Sequence, residues 1–136
     1  MNKTTAPATI TLVTGYQHRN GQRTPQTAEV QPGDFLSEPL VTDTLVYEII
    51  KVTAKTVTVR PTMSGGPIHE DERCDKGAHG LAVVWEEQVA NPDAETRTLR
   101  VRKDGTIRAG SYVGARPFYP TKKVNGVPVR RVDYRN

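Results

Sequence analysis

The 136-residue chain is long enough for one domain with a hydrophobic core, but only 35% of its residues are hydrophobic, so that core must be small. Eleven glycines and ten prolines interrupt the chain too often for a helical bundle, and they favour short strands joined by turns. A single cysteine, Cys74, excludes an internal disulfide, and no 18-residue apolar run offers a membrane-spanning helix, so we expect a reduced, cytoplasmic protein.

The N-terminal quarter predicts one strand, followed by an exposed β-ribbon or loop. Residues 1–8 are polar and lack the apolar core of a signal peptide, so we expect a flexible arm there. Residues 8–13 alternate apolar and polar side chains, which predicts a first strand. Asn20-Gly21 is typical of a type I′ hairpin turn, but residues 15–24 have too few apolar side chains for a core position. Residues 24–31 are interpreted as a connector.

The clearest strand pattern lies in residues 32–60. Pro32-Gly33 fits the two central positions of a type II turn, where glycine supplies the positive φ. Residues 45–52 are apolar on both faces of a strand, as expected near the middle of a small barrel. Simple alternation places Ile49 on one face of this strand and Val52 on the opposite face.

The next strand is predicted to be buried on one face only. Residues 56–60 alternate Val57 and Val59 with polar side chains, so Thr58 should point away from the core. Pro61 ends this strand because proline has no N–H for the sheet ladder.

The middle of the chain is harder to interpret. Residues 62–80 predict an exposed loop, first because of the composition of Met63–Pro67 and then because the stretch becomes acidic. Residues 81–89 fit either a strand or the only helix of the protein. We favour the strand because Val83, Val84 and Trp85 are β-branched or aromatic.

The C-terminal part predicts further hairpins. Residues 96–108 alternate around Asp104-Gly105, which indicates a type I′ turn, and Asn125-Gly126 indicates another. Pro120 and Pro128 should confine their strands to sheet edges. The whole pattern predicts a single all-β domain over residues 1–136, a small SH3-like barrel with additional hairpins and at most one short helix.

Charge is segregated along the chain. Residues 68–96 carry 2 basic and 8 acidic side chains, whereas residues 97–136 carry 11 basic and 2 acidic ones. A basic stretch interleaved with aromatic rings is typical of single-stranded nucleic-acid binders, in which charge contacts phosphates and rings stack on bases. An acidic protein partner, or pairing with the chain's own acidic segment, would use the same charge. The candidate binding residues are Arg97, Arg100, Arg102, Arg108, Tyr112, Arg116, Tyr119, Lys122, Lys123, Arg130 and Arg131.

No motif of the sequence indicates catalysis. His69, Cys74 and His79 lie within eleven residues, with Glu70, Asp71 or Asp75 as a possible fourth metal ligand. Their His-x₄-Cys-x₄-His spacing does not match a zinc site, so isolated ligand-type residues in a polar loop are favoured. The acidic neighbours of Cys74 disfavour its thiolate, and adjacent carboxylates such as Glu86 and Glu87 point to opposite faces of a strand. We therefore expect no catalytic residue, no resident metal and no cofactor.

The order PGDFL, YEIIKVTAKTVTVRP and TLRVRKDGTIRAGSY resembles a family of small β proteins carried by phages and plasmids. The similarity covers residues 30–61 and 96–112, and it is a pattern of strands and turns. It implies a small β domain of uncharacterised function with an SH3-like outline, located in the host cytoplasm when a phage encodes it. The outline is shared by many unrelated domains, so it does not specify a function.

We therefore predict a non-enzymatic binding module, a phage-type accessory protein that occupies a surface of a host or phage macromolecule, with a protein partner favoured. The alternative is a nucleic-acid-binding module that uses the basic, aromatic-interleaved residues 97–135. A third interpretation, a metal-dependent enzyme, depends on the window at residues 69–79.

Overall fold

The structure, a computed structural model, describes residues 9–40, 44–67, 83–110 and 115–133. In these ranges the chain forms strands and no helix, which confirms the all-β prediction, and none of its elements is a helix that could cross a membrane. The strands are β1 (Ile10–Arg19), β2 (Gln22–Val30), β3 (Phe35–Pro39), β4 (Thr44–Val52), β5 (Thr56–Pro61), β6 (Met63–Pro67), β7 (Val83–Val89), β8 (Arg97–Arg100), β9 (Tyr119–Pro120), β10 (Lys123–Val124) and β11 (Val127–Asp133).

The strands form three antiparallel sheets. The central sheet has the order β8-β5-β4-β3-β9, the second has the order β10-β11-β7-β6, and β1 and β2 form a hairpin of their own. The chain passes from the central sheet to the second sheet at Thr62, whose amide and hydroxyl both donate to the carbonyl of Val46. The same hydroxyl lies 2.9 Å from Oε1 of Gln88 on β7, so one threonine joins the two sheets.

One hydrophobic cluster covers a face of the central sheet. It combines side chains of the central sheet with those of two residues at the base of the β1–β2 hairpin and with Ile107 and Phe118, which lie between β8 and β9. The buried members are Leu12, Val30, Leu36, Tyr47, Ile49, Val52, Val57, Val59, Leu99, Ile107 and Phe118. The inward prediction for Val57 and Val59 is confirmed, since both have 0% exposure, while Thr58 is partly exposed.

The predicted facing of Val52 is wrong, and a β-bulge is the reason. The register between β4 and β5 shifts between Ile49 and Lys51, so Ile50 is an extra residue on β4. One extra residue restores Val52 to the face of Ile49, and both belong to the same buried cluster. Strict alternation cannot predict such an insertion.

Three turn predictions are confirmed by their backbone angles. Asn20-Gly21 and Asn125-Gly126 have positive φ at both residues, as a type I′ turn requires. At Pro32-Gly33, φ of the glycine is 95° and the amide of Asp34 donates to the carbonyl of Gln31 at 3.0 Å, which closes the expected type II turn.

The predicted hairpin over residues 96–108 forms only in part. At Asp104-Gly105 only the glycine has positive φ, and its amide donates to the carbonyl of Arg102, so the turn is a type I turn followed by a left-handed residue. β8 ends at Arg100, before this turn, and among the described strands it pairs only with β5. The amide of Phe118 donates to the carbonyl of Ile107 at 2.9 Å, next to a bridge from Arg108 to Pro117.

Two segments predicted to lack regular structure are strands. Residues 24–31 belong mostly to β2, which pairs with β1 along its length, and Met63–Pro67 forms β6, an edge strand beside β7. The strand interpretation of residues 83–89 is confirmed by β7. Pro120 lies on an edge strand as predicted, whereas Pro128 lies on the inner strand β11, where pairing with β7 begins only at Val129. The predicted arm at residues 1–8 and the loop from residue 68 to 80 lie outside the described residues.

The base of the β1–β2 hairpin is fixed to the body at one close contact. The amide of Val13 donates to the carbonyl of Gly105 at 2.8 Å. A Cβ atom at Gly105 would lie 2.8 Å from Cγ2 of Val13, so only glycine permits this approach. The hairpin therefore leaves the body from a defined position.

Candidate macromolecule-binding surfaces

The predicted basic residues do not share one face. Arg97 and Arg100 lie on β8 at one edge of the central sheet, Tyr119 lies on β9 at the other edge, and Lys123 and Arg130 belong to the second sheet. Within β8 the two arginines also differ in facing, because Arg97 shares the parity of the buried Leu99 and Arg100 does not. Tyr112 and the window with His69, Cys74 and His79 lie outside the described residues, and the side chain of Arg131 is not described.

Three of the predicted arginines bind backbone carbonyls of a single segment. Arg97 donates from Nη2 to the carbonyl of Ala109 at 3.0 Å. Arg102 donates to the carbonyl of Gly110, and Arg108 donates to the carbonyl of Ala115. These contacts hold the chain on both sides of residues 111–114, so the three side chains have a structural role that sequence reasoning missed.

Arg108 is also part of a small polar cluster at the turn after β8. Its Nη2 lies 3.5 Å from Oδ2 of Asp104, and its Nε donates to Oγ1 of Thr106. The hydroxyl of Thr106 donates to Oδ1 of Asp104 at 2.6 Å, and this bond is the main reason why the pKa of Asp104 lies below its usual range. The cluster is satisfied internally, which is typical of a turn rather than of a site.

The acidic and basic segments meet in the second sheet. Arg130 on β11 stands opposite Glu86 on β7, and its Nε lies 3.5 Å from Oε1 of Glu86. Pairing with the chain's own acidic segment, one of the three uses considered for the basic charge, is therefore realised at this position.

A cleft between the two sheets brings together two aromatic rings and a lysine. The cleft has a volume of about 240 Å³ and is lined by Ser37, Thr44, Trp85, Tyr119, Lys122 and Val129. Nζ of Lys122 lies 4.3 Å from the centroid of the Trp85 ring, within the range of a cation–π contact. Here the structure joins two predicted residues, Tyr119 and Lys122, in a concave site. Arg100, Arg116 and Lys123 are exposed elsewhere on the surface.

Tyr47, on β4 of the central sheet, has a hydroxyl group with a raised pKa. The hydroxyl of Tyr47 donates to Oε1 of Glu38 at 2.8 Å. Burial, followed by this hydrogen bond and the charge of Glu38, raises the pKa of Tyr47 to about 12, while Arg97 acts in the opposite direction. The phenol is therefore neutral at all physiological pH values, and its packing against Phe118 indicates a core role.

The surface that sequence reasoning did not select is the β1–β2 hairpin beyond its base. Every residue from 17 to 27 is exposed, so this part of the hairpin stands away from the core. We call residues 15–26 the ribbon. Nine register pairs join β1 and β2, with a bulge between Val13 and Gly15, and five of those pairs lie in the ribbon. The low apolar content of residues 15–24 predicts that they are exposed. The length of the ribbon, however, depends on β2, and most of β2 lies in residues 24–31, which were predicted to be a connector.

The ribbon holds one arginine side chain in a fixed position. The guanidinium carbon of Arg23 lies 3.8 Å from the centroid of the Tyr16 ring, close enough for a stacked cation–π contact. Tyr16 is partly buried and Arg23 remains exposed. The stack therefore fixes the position of a positive charge that solvent and a partner can still reach.

Comparison with known proteins does not indicate a function, so a function has to be inferred from the fold and these surfaces. Within the described residues, no three His, Cys, Asp or Glu side chains come together as a metal-binding group. No protein-family model, curated protein sequence or solved structure matches the chain.

Proposed function

We propose that the chain is a non-enzymatic binding module, a phage-type accessory protein that occupies a surface of a host or phage macromolecule. The observation that carries the proposal is the ribbon, because its residues 17–26 are all exposed. An SH3-like scaffold and a cytoplasmic location belong to the same proposal. The SH3-like scaffold is supported by the bridge between Arg108 and Pro117, because this bridge joins the chain after β8, at one edge of the central sheet, to the chain before β9, at the other edge. The cytoplasmic location is supported by the single cysteine.

A ribbon of this kind contributes little to the stability of the domain. A two-stranded hairpin is marginally stable in water, because it buries little apolar surface to offset the loss of chain entropy. Here the type I′ turn at Asn20-Gly21 and the stack of Arg23 on Tyr16 hold it in one shape. A pre-shaped arm binds with a smaller ordering cost than a flexible loop, which is the physical advantage for a docking element.

The proposal predicts that shortening the ribbon removes partner binding and leaves the fold intact. The variant lacks residues 16–19 and 22–25, so that Gly15 is joined to Asn20 and Gly21 to Gln26. Removing an even number of residues from each strand keeps the facing of every remaining side chain, and the turn still follows the Gly15–Gln26 pair. We expect a thermal unfolding midpoint within a few degrees of the original, because no deleted residue belongs to the buried cluster.

Binding is measured by affinity capture from host lysate, with proteins and nucleic acids both quantified. The matched control replaces the exposed Lys51 and Lys55 with glutamine, which alters the surface of the β4–β5 hairpin instead. Partners bound by the original and the control but lost from the shortened variant support the proposal. An identical set of bound molecules in all three proteins would contradict it.

A second candidate, a nucleic-acid-binding module that uses residues 97–135, is favoured by the cleft between the sheets. A base stacking near Trp85 and Tyr119, with its phosphate beside Lys122, would match the chemistry of single-strand binders. It predicts that single-stranded oligonucleotides quench the fluorescence of Trp85, the only tryptophan, more strongly as salt is lowered. Absence of quenching at about 50 mM salt, where phosphate contacts are strong, would remove this candidate.

A further inference from the structure

We propose that the ribbon inserts into the major groove of double-stranded DNA and contacts base edges with one of its two faces. This inference rests on the proposed function and names the partner of the same arm. It is carried by the charge, the dimensions and the facing of the ribbon side chains.

The charge of the ribbon is of one sign. It contains Arg19 and Arg23, and the sequence has no Asp or Glu before Glu29, at the base of the hairpin. Both arginines are exposed. Phosphate contacts supply most of the affinity of DNA-binding proteins, and an acidic side chain in the arm would oppose them.

The dimensions of the ribbon fit the groove. Five residue pairs extend from Gly15↔Gln26 to Arg19↔Gln22. At about 3.4 Å per residue they span roughly 17 Å, and the paired strands lie about 5 Å apart. The major groove of B-form DNA is about 12 Å wide and 8.5 Å deep and admits a two-stranded β-ribbon. The ribbon is therefore long enough to reach the groove floor while the body stays outside.

The two faces of the ribbon differ in chemistry. Directly opposed residues share a face, so the register places Gln17, Arg19, Gln22 and Thr24 on one side, together with Gln26. Arginine makes bidentate hydrogen bonds to guanine, and glutamine makes them to adenine. Threonine can form a hydrogen bond to a base edge or contact the methyl group of thymine. A face made of these residue types, and of no others beyond Gly15, matches the groove floor.

The opposite face suits the DNA backbone. It carries His18 and Arg23 in one cross-strand pair and Tyr16 and Pro25 in the next. The guanidinium of Arg23 is already fixed by its stack on Tyr16, so it can meet a phosphate without a large loss of side-chain entropy. Phosphate contacts of this kind set the orientation of an arm, and the base-facing residues then set its sequence preference.

The ribbon lacks the features that would favour a protein partner. Protein interfaces depend on buried apolar and aromatic anchors. Among the described residues, the exposed large hydrophobic side chains are Leu40, Met63 and Val89, and none lies on the ribbon. The single aromatic ring of the ribbon, Tyr16, is covered by Arg23.

The test measures the fluorescence anisotropy of a labelled 24-base-pair duplex pool with the full chain, at salt concentrations from about 50 to 200 mM, where counterion release changes affinity steeply. One variant replaces Arg19 and Arg23 with glutamine. The matched control replaces Lys51 and Lys55 with glutamine, which removes the same charge from exposed positions on the body. We expect the arginine variant to bind at least tenfold more weakly and its salt slope to fall by about 0.9, since Arg23 supplies one phosphate contact whereas Arg19 contacts base edges. The control should match the original.

A second measurement tests base contact. Selection from a randomised duplex pool should recover a preferred sequence with the original chain, and Gln17→Ala or Arg19→Ala should relax the preference at one or two positions. Duplex RNA of the same sequences should bind more weakly, because its major groove is too narrow for the ribbon.

Three outcomes would overturn the assignment. They are no duplex binding at about 50 mM salt, equal losses in the arginine variant and the control, or equal affinity for duplex RNA and DNA. If any of these holds while the shortened ribbon still loses a protein partner, the binding module stands and DNA is the wrong partner. Thermal unfolding of each variant shows whether an affinity change reflects misfolding.

Discussion

Replacing Val57 with aspartate is expected to lower the free energy of unfolding by more than about 4 kcal/mol, the range reached when an unpaired charge is buried and packing is lost together. Val57 has 0% exposure and lies between Val52 of β4 and Leu99 of β8 in the central sheet. Small domains are stabilised by about 5–15 kcal/mol in total. The variant should therefore be unfolded or close to unfolding at 25 °C, as measured by far-ultraviolet circular dichroism in urea.

Two further substitutions keep this prediction testable if the aspartate variant does not fold. Val57→Ala creates a small cavity without a charge and should cost about 2 kcal/mol, which urea unfolding can resolve. Thr58→Asp places the same charge one residue along, on the face that is partly exposed, and loses a hydrogen bond of 3.1 Å to Thr98. It should cost about 1 kcal/mol. Equal losses for the aspartates at 57 and 58 would contradict the facing of β5.

Truncating Phe118 to alanine is expected to lower the free energy of unfolding by about 3–5 kcal/mol, the usual cost of removing a buried aromatic ring. Phe118 is 1% exposed and is one of the largest fully buried side chains. Its ring centroid lies 5.6 Å from that of Tyr47, at an interplanar angle of 44°. Its amide also bonds to Ile107, so the ring holds residues after β8 and before β9 against the central sheet.

The neighbouring Tyr119→Ala variant is the control for this truncation. Tyr119 is only partly buried and lines the open cleft between the sheets. Removing it should cost about 1 kcal/mol, as for an average substitution. Urea unfolding of both variants gives the comparison, and a loss at Tyr119 as large as that at Phe118 would mean that the cleft ring, not the core ring, secures β9.

Local signals in the sequence predicted the parts of the fold that depend on local geometry. Asn20-Gly21 and Asn125-Gly126 specify their turns because both residues need positive φ. The alternation around Val57 specifies a strand with one buried face, and that face is buried. The composition, rich in glycine and proline, excluded a helical bundle and left at most one short helix.

The parts that were missed are set by partners distant in the chain. β2 has almost no apolar side chains of its own, and it is a strand because the preceding turn aligns it with β1. Met63–Pro67 is a strand because it lies beside β7. The bulge at Ile50 depends on pairing between two strands, which no single-strand pattern reveals.

The same reasoning explains the limits of the site prediction. Counting charges selected Arg97, Arg102 and Arg108 as a binding surface, but their guanidinium groups bind backbone carbonyls. Sequence does not distinguish an arginine that binds a carbonyl from one that meets a phosphate. The ribbon was overlooked because its side chains are mostly uncharged, although the absence of acidic residues before Glu29 was a usable signal.

The hydroxyls of Ser37 and Thr121 meet beside the pairing of β3 with β9, and this long-range pairing limits the order in which the sheet can assemble. They lie 2.9 Å apart, although 84 residues separate them in the chain. The hairpins β1–β2, β4–β5 and β10–β11 have local contacts and can form within microseconds. The central sheet acquires its last strand only when residues near 120 return to β3, and sheets with such distant pairings fold in milliseconds to seconds. Until then β3 presents an unpaired edge, so the period of greatest aggregation risk ends when β9 pairs with it.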